Sequence, residues 1–474
     1  MNLMKYEEIQ EKLKVLINSK PKPIPDAEME KFRKKIAEKC PKSKKQYEDF
    51  KNSIAGGTQH QLALKDPFCV TMKRCQGTRM WDIDDNEYID WLMCAGACLL
   101  GHNNPALRQE LVGVHQDLDP NIYWNTEWEL KAAELIKKHV PSIELLQYFQ
   151  SGTEADMAAI RLARVFTGNE KIIKIGGGYH GWSDQLTYDM HVPYSGNMES
   201  HGIPKGCYKN TVAVPPNDLE ALEEALKKWS EKRSGVAAII TEPLGPESGA
   251  IPLQPGFNEA LRELCDKYGV LLIFDEVVTG FRLGLGGAQE HFKIKPDLTI
   301  FGKILTHGFP GAGLVGGRKD IMSRFTADVE AGEEHAFIGG TLRANPLTVA
   351  ATYWTIKLIE QHDAIDKAAK MGDDLVKKLN DLFESMDLNY FAYNTKSIIH
   401  YETYTPVAMD IRKLENIQKA FQRKEYVDRI ALALFAKGII TKYGNRAFTC
   451  MAHTPEDNDQ FVEAFEEVLK LLPK

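Results

Sequence analysis

The sequence has few of the features that would place the protein in a membrane or in an oxidising compartment. Its eight cysteines are sparse for 474 residues and form no CxxC pair, which is typical of a reducing compartment in which thiols are buried. No stretch approaches the roughly 18 consecutive apolar residues of a membrane span. The opening stretch MNLMKYEEIQEKLKVLINSK carries charges throughout and lacks the apolar core of a secretory signal. We therefore expect a cytoplasmic protein.

An excess of charge of one sign is also lacking. The formal net charge of −7 and the pI near 6.1 give no reason to expect nucleic acid or an anionic membrane as a partner. Neither a metal site nor a disulfide is indicated. Hydrophobic residues make up 43% and charged residues 26% of the chain, as in ordinary globular proteins. At 474 residues we expect more than one packing unit.

The two ends of the chain differ in texture from its middle. Residues 1–50 are rich in Lys and Glu, show weak helical periodicity and are interrupted by prolines at 20–26. This pattern predicts an N-terminal helical extension, either solvated and packed on the main body or serving as a partner-binding arm. Residues 51–105 and 346–474 are predicted to build one small α+β domain together.

The middle of the chain, residues 106–345, alternates helical stretches with short apolar strands such as KIIKI, VAAIITEP, VLLIFDE and DLTIFGK. Such alternation predicts an α/β fold, with a large domain whose mostly parallel central sheet is flanked by helices. In sheets of this kind ligands bind at the carboxyl ends of the strands. Polar residues that follow the strands are therefore the first candidates for a site.

Two such residues stand out. Asp275 follows five apolar residues, 270–274, which read as a strand buried on both faces, so its carboxylate needs a buried partner. Lys303 follows another apolar strand, and no further lysine occurs until Lys319. A desolvated lysine has a lowered pKa and is a nucleophile toward carbonyl groups. A snorkelling or salt-bridged lysine is the alternative.

Two stretches with glycine complete a possible site. In QSGTEADMAAIRLAR (150–164), Ser151, Gly152 and Thr153 precede a helix whose free N–H groups and dipole favour phosphate, although an ordinary capped helix has the same pattern. In KIGGGYHGW (174–182), Tyr179 offers a ring to a flat ligand. A phosphate cradle, an aromatic plate, a strand-end carboxylate and a lysine are together what a pyridoxal phosphate site requires.

Five stretches also occur in the order and spacing of the class III aminotransferases: SGTEADMAAIRLARVFTGNEKIIKIGGGYHGW, AAIITEPLGPESGAIPLQPGFNEALREL, LLIFDEVVTGFR, PDLTIFGKILTHGFPGAGLVGGRKDIM and GGTLRANPLTVAA. The resemblance runs from about residue 54 to 459 and is greatest to the branch of glutamate-1-semialdehyde 2,1-aminomutase and its aminotransferase relatives. It implies a fold-type I enzyme with pyridoxal 5'-phosphate as cofactor.

The resemblance also implies roles for single residues. Lys303 matches the catalytic lysine that forms the Schiff base with the cofactor, and Asp275 matches the partner of the pyridine nitrogen. The other cofactor-binding positions are the phosphate cradle Ser151, Gly152 and Thr153, the ring neighbours Tyr179 and Val277, Glu242 near the cofactor hydroxyl, and Thr341. Because the matching threonine reaches the phosphate of the neighbouring subunit, Thr341 implies a homodimer with shared active sites.

The sequence departs from the aminomutase pattern after Lys303. The run LTHGFPGAG places Thr306 and His307 beside the lysine, and His307 is either a structural histidine or a substrate contact. The segment IAGGTQHQLALKDPF resembles the substrate-pocket segment of β-amino acid aminotransferases but lacks their carboxylate-binding arginine. Arg343 and Arg446 are candidate replacements, and for each a solvent-facing salt bridge is the alternative.

The predicted function is that of a pyridoxal phosphate-dependent aminotransferase, which moves an amino group from an amino acid or amine to a keto acid or aldehyde by ping-pong chemistry. An aminomutase and an amino acid racemase use the same residues and remain alternatives. A relative without activity that serves as a binding protein is a more distant alternative.

Overall fold

The computed structural model describes residues 4–19, 22–60, 62–193, 195–230, 232, 234–326, 332–404 and 414–473. The chain divides into two compact units. Unit 1 comprises Met1–Pro105, Asp363–Pro406 and Ile417–Lys474, and unit 2 comprises Ala106–His362 and Val407–Asn416. Unit 2 thus extends to His362, past residue 345, where the sequence predicts the large domain to end.

The helices are numbered in chain order. They are α1 (Tyr6–Asn18), α2 (Asp26–Lys39), α3 (Pro41–Ser53), α4 (Met93–Gly96), α5 (Pro105–Asp117), α6 (Glu127–His139), α7 (Gly152–Thr167), α8 (Lys205–Tyr208), α9 (Leu219–Ser230), α10 (Pro246–Gly249), α11 (Phe257–Tyr268), α12 (Gly287–Phe292), α13 (Lys319–Met322), α14 (Pro346–Gln361), α15 (Ala364–Ser385), α16 (Leu414–Ala436) and α17 (Pro455–Leu469). In the described part of the chain, none is long and apolar enough to cross a membrane.

The strands are numbered in the same way. They are β1 (Met72–Gln76), β2 (Arg79–Asp82), β3 (Glu87–Asp90), β4 (Leu145–Phe149), β5 (Lys171–Ile175), β6 (Thr211–Val214), β7 (Val236–Thr241), β8 (Leu271–Glu276), β9 (Leu298–Gly302), β10 (Gly313–Gly317), β11 (Phe391–Thr395), β12 (Ile398–Glu402), β13 (Ile439–Ile440) and β14 (Arg446–Phe448).

Unit 1 contains two small sheets with the strand orders β1-β2-β3-β13 and β11-β12-β14. Residues from the N-terminal helices belong to its core. Met29, Phe32 and Ile36 of α2 are buried in one cluster with Trp91, because their spacing of three and four residues puts them on one face of the helix. The helical extension predicted for residues 1–50 therefore contributes packing to this unit.

Unit 2 is built on a seven-stranded sheet with the order β4-β10-β9-β8-β7-β5-β6. The neighbours from β9 to β6 are parallel, whereas β10 runs antiparallel to both β9 and β4. The predicted α/β fold with a mostly parallel central sheet is confirmed. Because β4 runs in the same direction as β9, its carboxyl end lies at the same edge as those of the parallel strands.

The central strand β8 is buried on both faces, as its unbroken apolar run predicts. Leu271 and Ile273 pack in the cluster that contains the apolar face of α7, and Leu272 and Phe274 pack on the other side with residues of α11. Successive side chains of a strand point to opposite faces, so both layers of helices are held by the same strand. Each such side chain stabilises the fold by about 1.5–3 kcal/mol relative to an exposed one.

The eight cysteines are only partly in accord with the expectation of buried thiols. Cys40, Cys98, Cys265 and Cys450 are buried, whereas Cys94 and Cys207 are exposed. The expectation was wrong for these two. Cys207 lies in α8, which has no buried residue, whereas Cys94 is exposed although Met93 and Gly96 of the same helix are buried.

Candidate active site

Four parallel strands of unit 2 bring the polar candidates to one edge of the sheet. Asp275 is the penultimate residue of β8 and lies opposite Ile300 of β9, and Phe274 lies opposite Thr241 of β7. Glu242 follows β7, Lys303 follows β9, and the glycine-rich loop 176–182 follows β5. The carboxyl ends of parallel neighbours must meet, so the edge at which the sequence predicts a site is the edge at which these groups lie.

The start of α7 lies at the same edge, because α7 follows directly after β4. Ser151 is the N-cap and accepts a hydrogen bond from the Glu154 N–H at 3.3 Å, and the Glu154 carboxylate accepts one from the Gln150 N–H at 3.0 Å. The N–H groups of Gly152 and Thr153 donate to no residue that the structure describes. A helix start with two free donors and a positive dipole end is suited to a phosphate group.

Glycines allow three segments to approach each other closely here. A Cβ at Gly181 would lie 2.4 Å from Thr153 Oγ1, so the loop after β5 touches the start of α7. A Cβ at Gly152 or at Gly302 would lie 3.0 Å from a methyl group of Val277. Val277 therefore lies close to both the start of α7 and the residue that precedes Lys303, and its place under a cofactor ring stays a prediction.

Asp275 is buried and has two hydrogen-bond donors. The His180 Nδ1–H donates to Asp275 Oδ2 at 2.7 Å, and the Val277 N–H donates to Oδ1 at 3.0 Å. His180 is completely buried. Donors of this kind stabilise the charged form of a buried carboxylate and fix its orientation. The hydrogen bond from His180 thus helps Asp275 to tolerate burial.

Lys303 is desolvated at the end of β9. Burial lowers the pKa of its amine below the usual value, and nearby acidic groups, with Asp275, Glu242 and Glu247 first, oppose that shift. Its backbone has a left-handed φ of 42°, a conformation that costs a non-glycine residue energy and that concentrates at functional sites. The amine has the properties of a nucleophile and general base.

Tyr179 lies partly exposed at the same edge. Its ring stacks on the His191 ring with a centroid distance of 5.3 Å and an interplanar angle of 12°. The His191 imidazole is in turn 2.6 Å from Glu247 Oε1. The stacking on a cofactor ring that the resemblance implies for Tyr179 stays a prediction, and in this structure the ring has a histidine neighbour.

Glu242 holds two loops of the site together. Its Oε1 accepts hydrogen bonds from the N–H groups of Tyr179 and Glu247 at 3.2 and 2.9 Å, and its Oε2 accepts from the Ser248 N–H at 2.8 Å. Glu247 and Ser248 have left-handed φ values of 55° and 59°, which cost of order 1–3 kcal/mol each. Glu242 is therefore placed to hold a strained turn against the glycine-rich loop.

The remaining sequence candidates are distributed differently. Thr341 is exposed, and its carbonyl accepts a hydrogen bond from Asn121 Nδ2 at 2.8 Å. His307 is buried with a left-handed φ of 52°, and Thr306 donates its hydroxyl to the Phe309 carbonyl at 2.6 Å. The Thr306 side chain is thus used within its own turn.

The two candidate arginines lie in different units. Arg343 of unit 2 has its guanidinium carbon 5.9 Å from the Phe149 ring centroid, and its Nη1 is buried without a hydrogen-bond partner among the described residues. Arg446 of unit 1 is buried; burial raises the pKa of Glu402, and the charges of Arg423 and Arg446 oppose that shift. Arg446 is only 4% exposed, so a solvent-facing salt bridge is wrong for it. The pKa of Arg343 is lowered by burial, and its role stays a prediction.

Sequence reasoning assigned no role to three residues of this edge. His180 contacts Asp275, and Asp156 of α7 is buried near both. Lys174 of β5 is completely buried, and its amine donates to three backbone carbonyls of the loop after β5 at 3.0–3.1 Å. Burial lowers the pKa of Lys174 to about 8. In the sequence, Lys174 within the apolar stretch KIIKI and Asp156 within EADMAA are the polar residues that could have indicated such buried groups.

The chain is similar to proteins of one class throughout. Residues 62–468 match the model of the family described as aminotransferase class III. A glutamate-1-semialdehyde 2,1-aminomutase of Archaeoglobus fulgidus is 35% identical over 440 residues, which cover 91% of this chain and 100% of that protein. The crystal structure of an omega-transaminase from Sphaerobacter thermophilus has a TM-score of 0.81 and 28% identity, and the match covers 90% of this chain and 97% of that one.

A β-phenylalanine aminotransferase from Variovorax paradoxus has a TM-score of 0.81 and 26% identity, with 95% of this chain and 99% of that one covered. The chain therefore belongs to the class III aminotransferases, and its fold is that of the fold-type I pyridoxal phosphate transferases. Pyridoxal 5'-phosphate is the cofactor of the family.

The residues at this edge fit that cofactor. The free N–H groups at the start of α7 suit its phosphate, and the desolvated amine of Lys303 suits its aldehyde. The buried carboxyl group of Asp275, oriented by two hydrogen bonds, suits its pyridine nitrogen. A side chain larger than glycine at position 152 or 302 would be in close contact with Val277. The edge thus has the phosphate donors and the nucleophile, and glycine at positions 152 and 302 avoids closer contact with Val277.

Proposed function

We propose that the chain is a pyridoxal phosphate-dependent aminotransferase that moves an amino group from an amino acid or amine to a keto acid or aldehyde. The observation that carries the proposal is the placement of a desolvated lysine amine and a buried, histidine-supported carboxylate on neighbouring parallel strands. This pair provides a nucleophile and a counter-charge at opposite ends of one flat ligand.

Each group at the sheet edge has one part in holding the cofactor. The Gly152 and Thr153 N–H groups would bind the phosphate, Val277 would support one face of the ring, and Asp275 would accept a hydrogen bond from the pyridine nitrogen. Lys303 would hold the cofactor through its amine. When bound, pyridoxal phosphate supplies an electron sink for the carbon that carries the substrate amino group.

Lys303 is also the proposed general base. With the cofactor bound, Nζ would be the group that accepts the proton from the substrate carbon that carries the amino group. The lowered pKa of Lys303 favours this role, because a larger fraction of the amine is unprotonated near neutral pH. Glu242 keeps the loop that carries Tyr179 against the site during the reaction.

A second candidate function is that of an aminomutase, with an amino acid racemase as its variant. It is supported by relatives named glutamate-1-semialdehyde 2,1-aminomutase, which are 33% and 35% identical over 90% and 91% of this chain. The hydroxyl of Thr306 donates within its own turn. It therefore does not discriminate between aminotransfer and aminomutation. An inactive binding protein is disfavoured because nucleophile, counter-charge and phosphate donors occur together.

One experiment separates these functions. The purified protein loaded with pyridoxal phosphate is mixed with single amino donors in the absence of an acceptor. For an aminotransferase we expect loss of the visible absorbance of the cofactor and one keto product per site. Isomerisation or racemisation of the donor without a keto product would select the second candidate, and a protein that takes up no cofactor would contradict both.

The proposal includes a homodimer with shared active sites. Its support is an exposed apolar surface in unit 2, formed by Tyr123, Trp124 and Leu342, of which Trp124 is 82% exposed. The hydrogen bond between Asn121 and Thr341 joins the two segments that carry these side chains. Large exposed aromatic groups next to each other mark an interaction surface, and Thr341 lies in this surface.

The dimer is tested by sedimentation of Trp124→Arg. We expect a shift to monomer and weaker retention of the cofactor, because each site would lose Thr341 of the other subunit. Val15→Arg changes an exposed apolar residue of unit 1 that is 52% exposed and is the control. A wild-type monomer that binds the cofactor would contradict shared sites. The cytoplasmic location stays a prediction.

A further inference from the structure

Asp156 is a buried carboxyl group in α7 that none of the roles above uses. The residue is 1% exposed, and its Oδ1 has no hydrogen-bond partner among the described residues. No described cation forms an ion pair with it. A buried carboxylate without donor or counter-charge is strongly disfavoured, so the protonation state of this group needs an explanation.

Asp156 lies beside the pair that would face the pyridine nitrogen. One side-chain polar atom each of Asp156, His180 and Asp275 lies within 4.8 Å of the other two. Four ionisable groups of the surrounding elements act electrostatically on the pKa of Asp156: Asp275 of β8, Glu242 after β7, Lys303 after β9 and Lys174 of β5. Two carboxyl groups so close together in a buried site do not both ionise.

The hydrogen bonds decide which of the two carries the charge. Asp275 accepts from the His180 Nδ1–H and the Val277 N–H, whereas Asp156 Oδ1 has no donor among the described residues. Burial, followed by the charges of Asp275 and Glu242, raises the pKa of Asp156 well above its usual value. The charges of Lys303 and Lys174 oppose the shift, and the Lys174 amine donates its hydrogen bonds to three carbonyl oxygens and not to Asp156.

We propose that Asp156 is a positioning residue whose neutral carboxylic acid supports the single negative charge that Asp275 presents to the pyridine nitrogen of the cofactor. This inference rests on the proposed function, since the nitrogen is that of pyridoxal phosphate. The single negative charge on Asp275 would balance the single positive charge of a protonated ring nitrogen. An ionised Asp156 would add a second charge without a partner, and an apolar residue would remove the acid's O–H from the neighbourhood of Asp275.

The first test uses the full chain freed of cofactor and measures its thermal unfolding against pH. The pKa of Asp156 in the folded state is above its unfolded value, near 3.8. As pH rises above that value, the unfolded state loses the proton first, so this group lowers the stability of the wild type progressively. Asp156→Asn lacks the proton, and we expect its melting temperature to rise relative to wild type between about pH 4 and 8.

A melting-temperature difference that is constant with pH would overturn the proposal, because Asp156 would then be ionised in both states. The three groups are also close enough to hold a metal ion, so the curves are recorded with chelator and with added Zn²⁺. Stabilisation of the wild type by Zn²⁺ that Asp156→Asn abolishes would assign a metal site and overturn the neutral acid.

The second test measures the dissociation constant of pyridoxal phosphate. Asparagine keeps a neutral N–H donor, so Asp156→Asn should bind within about threefold of wild type, whereas Asp156→Val should bind about tenfold more weakly. Equal losses in both variants would mean that the carboxylate charge is needed. Wild-type affinity in both would remove the positioning role. A wild type that binds no cofactor would contradict the proposed function but leave the unfolding test intact.

Discussion

His180 donates its Nδ1–H to Asp275 Oδ2 at 2.7 Å, and both side chains are buried. His180→Leu leaves Asp275 with the Val277 N–H as its remaining described donor. Loss of one hydrogen bond to a buried charge costs about 1.5–3 kcal/mol, which is about ten- to a hundredfold in affinity. We expect the dissociation constant of pyridoxal phosphate to increase by that factor, as measured by titration of the cofactor-free protein.

His180→Asn is the matched control, because its amide N–H replaces the donor in a similar position and should recover part of the affinity. Wild-type affinity in His180→Leu would show that the imidazole does not support the Asp275 charge. A loss of folding in His180→Leu alone is recognised from its melting temperature without cofactor.

Lys303→Ala should abolish turnover without lowering the stability of the cofactor-free protein. Burial lowers the pKa of Lys303 from its usual 10.5, so in the folded state the protonated amine is disfavoured. Between the two pKa values the unfolded state binds more protons, and wild-type stability therefore rises with pH toward 10.5. Lys303→Ala lacks this rise. Melting curves at alkaline pH measure this difference in the pH dependence of stability. A turnover of Lys303→Ala near that of wild type would refute the catalytic assignment.

The positions of Asp275 and Lys303 could be predicted from the sequence because each follows an apolar strand. Strands buried on both faces read as unbroken apolar runs, and their carboxyl ends share one edge whatever the strand order. The order itself could not be predicted. In particular, β10 lies between β4 and β9 and runs antiparallel to both, which the alternation of helices and strands does not indicate.

The partners of these residues could not be predicted for a related reason. His180 and Asp275 are 95 residues apart in the chain, and no periodicity joins a loop to a strand end at that distance. Asp156 lies in a helix whose pattern indicates only that one face is apolar. Which of its polar residues is buried depends on where α7 crosses the sheet, and that is a property of the packed structure.

Gly181 allows the loop after β5 to touch the start of α7. It has a φ of +76°, and a Cβ there would lie 2.4 Å from Thr153 Oγ1 and 2.7 Å from Thr153 Cα. In Gly181→Ala we expect loss of cofactor affinity by at least tenfold and of stability by about 2–4 kcal/mol, since backbone strain and a clash add. Denaturant unfolding and cofactor titration measure the two effects.

Gly202→Ala is the control for the strain alone, because Gly202 has a φ of +85° and no atom within 4 Å of the added Cβ. It should cost about 1–2 kcal/mol and leave the cofactor affinity unchanged. If Gly181→Ala behaves like Gly202→Ala, the close approach of loop and helix start has no role in binding the phosphate.

Arg343 is the cation in unit 2 that we expect to bind a substrate carboxylate. Its Nη1 is buried without a partner among the described residues, and its guanidinium lies near Phe149 at the end of β4, the strand that leads into the phosphate-binding helix start. Arg343→Gln should raise KM for donors with a carboxylate by about ten- to a hundredfold. Donors without a carboxylate should be unaffected, and steady-state kinetics on paired donors measures the ratio.

Two further variants separate recognition from packing. Arg343→Lys keeps the charge but not the planar pair of donors and should recover KM only in part. Burial raises the pKa of Glu402, and the charges of Arg423 and Arg446 oppose that rise. Arg446→Gln should therefore lower the melting temperature by leaving the buried Glu402 carboxyl group with less compensation. If Arg343→Gln changes KM equally for donors with and without a carboxylate, Arg343 supports the fold of the site and the carboxylate must be bound by another residue.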